Sequence, residues 1–571
     1  MKSYKLRDRQ DENLLTDLML ARGVVGEDAQ KQFLAPDFGR DSGDPFLLPD
    51  MDKAVDRILS AVKNNEGVCV WSDYDCDGIP GGVMLTEFLR AIGLTVRHYI
   101  PHRHTEGYGL NVEGIDELVG QGIKLIITID LGTTEIEEIA HANKKGVDVI
   151  VTDHHVVRGA EKESSSTAGL QGDATEDSFS APPSLAFINP KRPDSKYGFD
   201  GLCGAGVAWK LIQGVLAKNR FGLGEGQEKW FLDLVGIATL SDMVPLVGEN
   251  RVLASFGLRV MRRDRRPGLS ALLKMLRIKP AGLTEDDIGF MISPRINAAS
   301  RMDKPDTAAR LLATSDTVEA AGIAEELNRI NDERKGVVAA IVKEANKRMH
   351  ESPIEGPVIV MGNPKWRPGV LGLVANSLME AHGKPTFLWG REGGDVIKGS
   401  CRSDGSVSVV DLMAAAGDVF LGFGGHTASG GFSVAQERVH ELMPRLTQAY
   451  ELLKAKASVQ QDVVIDRQSD LSEIAHAHRD LLKLAPFGIG NTKPLFVFPG
   501  VSIGNTKMFG KTQNHLDMGL EQGGSRISGI AFFSTQDSFN KKVERGAKAD
   551  IVGHIESDWR GQSRIRVVDV L

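Results

Sequence analysis

The chain of 571 residues lacks any run of about 18 apolar residues, the length that a membrane-spanning helix needs. Its first residues, MKSYKLRDRQDENLL, are charged and contain no apolar core of a signal peptide. Its four cysteines have no CxxC spacing, so neither a zinc site nor a disulfide framework is indicated. These absences predict a protein of the reducing cytoplasm that has no membrane partner.

The chain also lacks an excess of positive charge, because its formal net charge is −8. A protein that binds nucleic acid through bulk basicity would be basic, so any phosphate-binding surface must be a focused groove. One candidate is the arginine-rich run Arg251, Arg259, Arg262, Arg263, Arg265 and Arg266. The solvated end of a surface helix is an equally good interpretation of this run.

Apolar runs alternate with helix-like segments from Val68 to about Leu246. The runs are Val68–Trp71, Leu125–Ile129, Val147–Val151 and Leu185–Ile188. Continuous apolar runs joined by helices predict a doubly wound α/β fold with a parallel sheet. A polar stretch at about 159–183 is poor in aromatic and β-branched residues, which predicts a flexible insertion.

The length exceeds what one hydrophobic core supports, so about three or four domains are expected. Apolar residues at helical spacing after Asp316 predict a long connecting helix, and a second α/β unit begins with the strand Val358–Met361. Short strand-like runs near the C-terminus predict a small β-barrel. The predicted divisions are an N-terminal segment packing on the first α/β unit (1–45), that unit (46–310), the helix (311–350), the second α/β unit (351–456) and the barrel (457–571).

Acidic side chains follow the ends of three predicted strands. These strands lead into Asp73-Tyr74-Asp75-Cys76-Asp77, into Asp130 and into Asp153-His154-His155. A further acidic residue, Asp242, follows the apolar stretch Phe231–Leu240. Because ligands bind at the carboxyl ends of parallel strands, we expect these groups to share one edge of the sheet.

Carboxylates crowded at one edge repel one another, and at least one would protonate unless cations bind there. Carboxylate oxygens with imidazole suit Mg²⁺ or Mn²⁺, and two such ions about 4 Å apart can activate a phosphodiester for hydrolysis. A single aspartate after a buried strand is often a helix N-cap, and a histidine pair is usually structural. The convergence of four positions favours a metal site that hydrolyses phosphoesters.

The motifs around Asp73–Gly78, Thr128–Gly132, Asp153–His155 and Asp242 resemble those of the DHH phosphoesterase superfamily. Longer segments resemble the RecJ family within it: Pro101–Leu110, Cys203–Leu211, Pro294–Arg301 (PRINAASR), Gly399–Ser403 (GSCRS), Gly424–Gly431 (GGHTASGG) and Pro486–Pro494. The resemblance covers nearly the whole chain outside the polar stretch. It implies two α/β domains, a DHH parallel-sheet domain and a DHH-associated domain, joined by a long helix and followed by an OB-like β-barrel.

The resemblance implies a 5′-3′ exonuclease specific for single-stranded DNA, which uses two Mn²⁺ or Mg²⁺ ions, releases 5′-mononucleotides and acts in DNA repair and recombination. The implied metal ligands are Asp75, Asp77, Asp130, His154 and Asp242, with Asp130 bridging. Asp73 is implied as a further ligand or a close neighbour of the ligands, and His155 as a contact to the scissile phosphate. The implied ligands of DNA or of its 5′-phosphate are Arg295, Asn297, Arg301, Ser400, Arg402 and His426, with Arg301 and Arg295 as alternatives for the terminal phosphate.

The resemblance further implies a monomer whose partners, besides single-stranded DNA, include a single-strand binding protein and a helicase. Aromatic side chains in the barrel are candidates for stacking on bases. They are Phe496, Phe498, Phe532, Phe533 and Trp559, with His515 and Arg560 as weaker candidates.

The chain departs from the family pattern at three positions and leaves two other functions open. Pro80 stands where Thr or Ser is usual, Ser300 where Gly is usual and Arg367 where His is usual. The first alternative function is a DHH phosphodiesterase of short oligonucleotides or cyclic dinucleotides. The second is a catalytically inactive DHH scaffold that binds DNA within a replication assembly.

Overall fold

The computed structural model describes residues 3–103, 105–157, 181–353, 355–391, 396–454, 462–510, 513–558 and 560–571. Residues 159–180 of the predicted insertion (159–183) and Trp559 lie outside these residues. The chain forms two compact units: unit 1 comprises Met1–Gly43, Met243–Phe256 and Gln461–Leu571, and unit 2 comprises Asp44–Asp242 and Gly257–Gln460. In the described part of the chain, no helix combines the length and the apolar composition needed to cross a bilayer.

The helices and strands are numbered in chain order. The strands are β1 (Tyr4–Leu6), β2 (Gly67–Ser72), β3 (Thr95–Tyr99), β4 (Ile123–Ile129), β5 (Asp148–Thr152), β6 (Ala186–Ile188), β7 (Ile359–Gly362), β8 (Thr386–Gly390), β9 (Val396–Arg402), β10 (Gly422–His426), β11 (Ser429–Ala435), β12 (Val463–Ile465), β13 (Arg467–Gln468), β14 (Phe496–Phe509), β15 (His515–Gln522), β16 (Ser525–Ala531), β17 (Lys548–Ser557) and β18 (Ser563–Val570). The α-helices are α1 (Leu14–Ala21), α2 (Glu27–Leu34), α3 (Phe38–Asp41), α4 (Met51–Asn64), α5 (Gly78–Ala91), α6 (Val112–Gly120), α7 (Ile136–Lys144), α8 (Gly204–Lys218), α9 (Leu232–Ser241), α10 (Gly248–Met261), α11 (Pro267–Leu276), α12 (Ser293–Arg301), α13 (Pro305–Ala313), α14 (Thr317–Glu351), α15 (Pro368–His382), α16 (Val409–Ala415), α17 (Leu442–Lys454) and α18 (Ile474–Leu484). Short 3₁₀ helices cover Pro45–Leu47, Gln227–Phe231, Pro280–Gly282, Gln436–Glu441 and Leu471–Glu473, and a π-helix covers Asp287–Ile292.

The first sheet of unit 2 has the strand order β3-β2-β4-β5-β6, and all its neighbouring strands are parallel. This confirms the predicted α/β sheet, whose inner strands are apolar because helices cover both faces. The last residues of four adjacent strands are in register, as Ser72 pairs with Ile129, Ile129 with Thr152 and Thr152 with Ile188. The residues that follow therefore leave the sheet side by side. The edge strand β3 is not an apolar run, and the sequence analysis did not predict it.

Helix α9, not a strand, carries Asp242 to this edge. It crosses α10 at a glycine pair: a Cβ on Gly257 would lie 2.5 Å from the Cα of Gly236. The close approach explains why the stretch before Asp242 is apolar over its whole circumference, since it is buried on all sides.

The second α/β domain of unit 2 follows α14, a helix of 35 residues. The side chain of its N-cap Asp316 accepts hydrogen bonds from the backbone N–H groups of Val318 and Glu319 at 2.7 and 3.1 Å. The sheet order is β10-β11-β9-β8-β7, with β7 and β8 parallel and the other pairs antiparallel. The predicted long helix and second α/β domain are thereby confirmed.

Unit 1 contains the predicted barrel. Strands β14, β15, β16, β18 and β17 are adjacent in that order, and β14 pairs with β17 to close the ring. The N-terminal segment groups with this barrel, whereas the sequence analysis expected it on the first α/β unit. The reason is that β1 pairs with β12, and Arg7 and Arg467 both form ion pairs with the buried Asp17.

Three side chains of the arginine-rich run bind groups within the protein. In unit 1, the Arg251 guanidinium donates hydrogen bonds to the backbone oxygens of Phe33, Leu484 and Ala485. In unit 2, Arg262 donates to the backbone oxygen of Leu283. Arg266 pairs with Glu87 and Asp233.

We expect Gly257→Ala to destabilise unit 2 by about 1–3 kcal/mol, because the added methyl group overlaps Gly236 and must push α9 and α10 apart. The measurement is the urea concentration at the unfolding midpoint. Gly322→Ala is the matched control, since a Cβ at this exposed position in α14 meets no atom within 4 Å, and alanine should stabilise the helix there. Equal midpoints for both variants would contradict the packing argument.

Candidate metal centre and adjoining cleft

Acidic and imidazole side chains converge at the carboxyl edge of the first sheet. His154 lies at the centre of the group. Its Nε2 is 3.1 Å from Asp130 Oδ1, 3.7 Å from Asp77 Oδ2 and 3.7 Å from Asp242 Oδ2. The structure therefore brings together residues that are up to 165 positions apart in the chain.

Three overlapping sets of side chains have ligand atoms within 4.8 Å of one another: Asp77 with His154 and Asp242, Asp130 with His154 and His155, and Asp73 with Asp75 and Asp130. Together these sets contain every metal ligand that the resemblance implies, as well as Asp73 and His155. Asp130 belongs to two of the sets, so its carboxylate lies between them.

Backbone groups orient the carboxylates of the β2–α5 turn. The N–H groups of Gly204 and Ala205, at the start of α8, donate to Asp77 Oδ2 and Oδ1 at 2.6 and 2.8 Å. Asp75 Oδ1 accepts from the N–H of Asp77 at 2.8 Å. A helix N-terminus favours a negative charge, so α8 holds Asp77 in place next to its acidic neighbours.

Asp130 has a backbone conformation that most residues avoid, with φ at 63°. It also packs against a glycine, since a Cβ on Gly204 would lie 2.6 Å from the Cβ of Asp130. Such local strain is common at functional sites. Here it turns the carboxylate out of the strand direction and into the cluster.

Asp153 holds the two histidines of the cluster through hydrogen bonds, and no functional role was predicted for it from the sequence. Its Oδ1 accepts from Nδ1 of His155 at 2.7 Å and from the N–H of His154 at 2.7 Å. Its Oδ2 accepts from the N–H of Thr133 at 3.0 Å. Asp153 thereby fixes the imidazole of His155, and it does not belong to the three sets of possible ligand atoms. Its position directly before the two histidines was the available signal.

Burial and mutual repulsion raise the pKa values of the clustered carboxylates. The pKa of Asp77 rises to about 7 and that of Asp242 to about 9, and the pKa values of Asp73 and Asp130 also rise well above the usual range. Burial, followed by the charge of His155, lowers the pKa of His154 to about 3. Asp73 Oδ1 and Asp130 Oδ1 are buried and have no hydrogen-bond partner in the described residues. A neutral imidazole among unsatisfied carboxylate oxygens fits divalent cations such as Mn²⁺ or Mg²⁺.

A cavity of about 370 Å³ adjoins this cluster, between the two α/β domains of unit 2. Its lining comes from the loops after β2 and β3 (Tyr74, Arg103, Gly107 and Tyr108), the start of α15 (Pro368 and Gly369) and the sheet of the second domain (Lys398, Gly399, Ser400, Gly422, Phe423, Gly431, Phe432 and Ser433). Tyr108 joins the cavity to the cluster. Its hydroxyl donates to the backbone oxygen of Asp130 at 3.0 Å, and its ring centroid is 6.2 Å from that of His155.

Strand β9 contributes cationic side chains beside this cavity. Lys398, Ser400 and Arg402 alternate along the strand and so share one face of the sheet. Burial, followed by the charges of Arg103, Arg334 and Arg402, lowers the pKa of Arg301 to about 9. The positive charges of these arginines repel one another, and a bound anion would offset that repulsion. This part of the cleft is therefore suited to a phosphate.

The structure distinguishes the two arginines that the sequence left as alternatives. Arg301 donates to the backbone oxygen of Gly369, a residue of the cavity wall, at 2.7 Å. The Arg295 guanidinium is instead bound to Asn328 Oδ1, at 3.1 and 2.9 Å, and to the backbone oxygen of Met291. Asn297 lies one turn before Arg301 on α12, and its Oδ1 is buried without a hydrogen-bond partner in the described residues. The geometry favours Arg301 for anion binding.

The cavity contains residues that the sequence analysis did not assign, above all Arg103, Tyr108 and Lys398. The first two lie in the segment Pro101–Leu110, which was used only as a mark of resemblance. The sequence feature that could have indicated them is a loop that contains arginine and tyrosine and lies next to the predicted metal edge. That β3 directs this loop to the cleft could not be inferred without predicting the strand.

The three departures from the family pattern fit their positions. Ser300 lies within α12 and has no positive φ, so serine carries no left-handed strain there. Pro80 is the third residue of α5, in the first turn, where proline is tolerated. Arg367 is the exposed N-cap residue of α15, next to the cavity wall.

Three family models match the chain: the DHH family N-terminal domain over residues 67–239, the DHHA1 domain over 355–452 and the RecJ OB domain over 465–568. The single-stranded-DNA-specific exonuclease RecJ of Salmonella typhimurium is 30% identical over 553 residues, covering 91% of this chain and 90% of that protein. RecJ of Bacillus subtilis is 29% identical over 556 residues; the match covers 96% of this chain but 66% of that protein, just under two thirds.

Solved structures give the same relationship. RecJ from Thermus thermophilus in complex with Mn²⁺ superimposes with a TM-score of 0.78 at 26% identity, covering 100% of this chain and 79% of that chain. Its complex with Mg²⁺ gives a TM-score of 0.72 at 25% identity, covering 100% of this chain and 78% of that chain. Since a relative at 30% identity aligns along nine tenths of both proteins, the chain belongs to the RecJ family.

Proposed function

We propose that the protein is a metal-dependent exonuclease that hydrolyses single-stranded DNA from its 5′ end and releases 5′-mononucleotides. The observation that carries this proposal is the juxtaposition of a carboxylate–imidazole cluster with a cationic cavity of about 370 Å³. A cavity of this volume is at the lower end of the range for small-ligand sites, as expected for a pocket that holds one nucleotide. The relatives from Bacillus subtilis and Salmonella typhimurium are single-stranded-DNA-specific exonucleases by name, which supports the same activity.

In this proposal Asp75, Asp77, Asp130, His154 and Asp242 would hold two divalent cations, Mn²⁺ or Mg²⁺, and Asp130, which belongs to two of the ligand sets, would serve both. When bound, the cations would polarise the scissile phosphate and supply an activated water for in-line attack. Asp73 completes the acidic set beside Asp130. Asp153 holds Nδ1 of His155, which leaves Nε2 of that ring to contact the phosphate oxygens.

The terminal phosphate would lie against Ser400, Arg402 and Arg301, beside the N-terminus of α15. Arginine binds phosphate through paired N–H groups, and the positive end of the helix dipole favours an anion. With the 5′-phosphate held at one wall and the metal centre at another, one nucleotide occupies the cavity between them. The enzyme would therefore cut one nucleotide from the end, not at internal bonds.

The barrel of unit 1 offers a second DNA-binding surface. Phe532 and Phe533 are 42% and 81% exposed, and their rings lie edge-on to His515 at centroid distances of 5.5 and 4.9 Å. Phe496 and Phe498, which the sequence analysis also considered, are fully buried in the barrel core and cannot stack on bases. We propose that Phe532 and Phe533 stack on the bases of single-stranded DNA.

The alternative functions are less well supported. All implied metal ligands are present in one cluster, which argues against an inactive scaffold. The RecJ OB domain argues against an enzyme limited to very short oligonucleotides. The single-strand binding protein and the helicase as partners, the cytoplasmic location, the monomeric state, the domain limits and the role in repair and recombination stay predictions from the resemblance.

The metal site is tested with Asp130→Asn, because asparagine tolerates the positive φ at this position. We expect at least about a 10²-fold loss of Mn²⁺-dependent release of nucleotides from an end-labelled single strand, more than the loss of a residue that only supports a ligand. Mn²⁺ should raise the unfolding temperature of the wild type but not of the variant. The metal-free variant should be slightly more stable than the metal-free wild type, since one repelling charge is gone. Glu113→Gln, an exposed carboxylate change on α6, is the control; a full Mn²⁺ response in Asp130→Asn would refute the site.

Arg402→Ala tests the 5′-phosphate site. We expect the ratio of kcat/KM between 5′-phosphorylated and 5′-hydroxyl strands to fall by about 10- to 100-fold, the value of hydrogen bonds to a charged group. The stabilisation by Mn²⁺ should be unchanged. Arg391→Ala, at an exposed position of the same domain, is the control. Equal loss of the Mn²⁺ response would show instead that Arg402 supports the metal centre.

Phe533→Ala tests the barrel surface. Loss of a stacking ring should weaken the binding of a single strand by about 1–3 kcal/mol, measured by fluorescence anisotropy with Ca²⁺ in place of Mn²⁺. The control is Phe290→Ala, which removes a ring in unit 2 that is 69% exposed. Identical affinities of both variants and the wild type would exclude stacking by Phe533.

A further inference from the structure

Lys191 lies at the rim of the metal centre and has no role in the arrangement described so far. It follows β6, whose last residue Ile188 is in register with the end of β5. Because β6 is parallel to β5, the residues after it emerge at the same edge as His154 and His155. Lys191 is therefore at the metal edge by virtue of the topology.

Asn189 fixes the backbone of this turn. It is completely buried, and its Nδ2 donates to the backbone oxygen of His155 at 3.0 Å, while its Oδ1 accepts from the N–H of Lys191 at 2.9 Å. One amide thus links the lysine directly to the histidine that faces the cleft. The start of the Lys191 side chain is held at a fixed place beside the cluster.

The ammonium group of Lys191 makes no ion pair or hydrogen bond in the described residues, and the side chain is half-buried. Its charge nevertheless acts on both sides of the cleft. It adds to burial and to the charge of His155 in lowering the pKa values of His154 and His426, and it opposes the rise in the pKa of Asp242 that burial and Asp77 cause. An unpaired cation near groups of both domains is suited to a substrate phosphate.

The order of the strands in the sheet indicates which phosphate of the DNA Lys191 would contact. The cavity for the terminal nucleotide is lined by loops after β2 and β3, whereas Lys191 follows β6 at the opposite end of the sheet order β3-β2-β4-β5-β6. The metal ligands that follow β2, β4 and β5 lie between the two. A strand whose 5′-terminal nucleotide occupies the cavity and whose first phosphodiester lies at the ligands must continue towards β6.

We infer that Lys191 binds the phosphate on the 3′ side of the scissile one and so guides the rest of the strand out past β6, opposite His426. This inference rests on the proposed function. It makes Lys191 a positioning residue for the DNA backbone. A surface lysine with a purely solvated side chain is the ordinary alternative, and it predicts no dependence on any one phosphate.

The test replaces one charged phosphate with a neutral methylphosphonate at the second linkage from the 5′ end of an otherwise natural strand. For the wild type, this change should lower kcat/KM for release of the labelled first nucleotide by about 10-fold. Lys191→Ala should lose the same factor on the natural strand and lose nothing more on the methylphosphonate strand. Lys191→Arg, which keeps the charge, should retain most of the activity on the natural strand.

Two controls separate this from a structural effect. Lys196→Ala, an exposed lysine in the same connection, and a methylphosphonate far from the 5′ end should both leave the rate unchanged. Lys191→Ala should also reduce the slope of log kcat/KM against log salt concentration by about 0.7, the value for one phosphate contact on a single strand.

If the methylphosphonate at the second linkage slows Lys191→Ala as much as it slows the wild type, Lys191 does not contact that phosphate and the inference is wrong. If the wild type releases no nucleotide from the natural strand, the proposed function itself fails. The two failures are thereby distinguished.

Discussion

The repulsion between carboxylates at one edge of a parallel sheet is the constraint on which the rest of unit 2 depends. The register of β2, β4 and β5 forces Asp73 to Asp77, Asp130 and His154 to emerge side by side. The sheet can impose this because its strands are buried on both faces and cannot slip without exposing apolar side chains. Burial raises the pKa values of the acids instead of separating them. Crowding these carboxylates destabilises the metal-free fold, and the binding of cations would offset that cost.

The same constraint explains local features that would otherwise weaken the fold. Asp130 adopts a positive φ, and Gly204 must lack a side chain for Asp130 to fit. The N-terminus of α8 then stabilises Asp77 with two backbone N–H groups. Strain at one residue, a glycine beside it and a helix dipole on its neighbour all act on one cluster. They hold the carboxylates in a ligand arrangement before any cation arrives, which limits the reorganisation needed on binding.

The sequence predicted the cluster better than its surroundings, for a physical reason. Strand ends in a parallel sheet share an edge whatever the loops do, so Asp75, Asp130 and His154 could be grouped from apolar runs alone. Asp242 was grouped with them from the apolar stretch before it, but that stretch is a helix, so its place at the edge does not follow from the rule for strand ends. Which of Arg295 and Arg301 faces the cleft depends on the rotation of α12 about its axis, and which barrel phenylalanines are exposed depends on strand register. Neither the helix rotation nor the strand register is encoded in local composition. The grouping of the N-terminal segment with the barrel depends on the pairing of β1 with β12, and these two strands are far apart in the chain.

The direction of degradation that we propose also follows from the arrangement of the sheet. The proposed site at Arg301 and Arg402 would bind a terminal phosphate, and the cavity beside it would hold one nucleotide before the metal ligands. Because the first phosphodiester would have to reach those ligands, the strand would continue along the remaining strand ends, towards β6 and Lys191. Reversing the polarity would place a 3′-hydroxyl, which carries no charge, against the arginines and would lose their contribution to binding. The proposed preference for the 5′ end would thus be a consequence of where positive charge lies relative to the metal edge, and it would require no recognition of the bases.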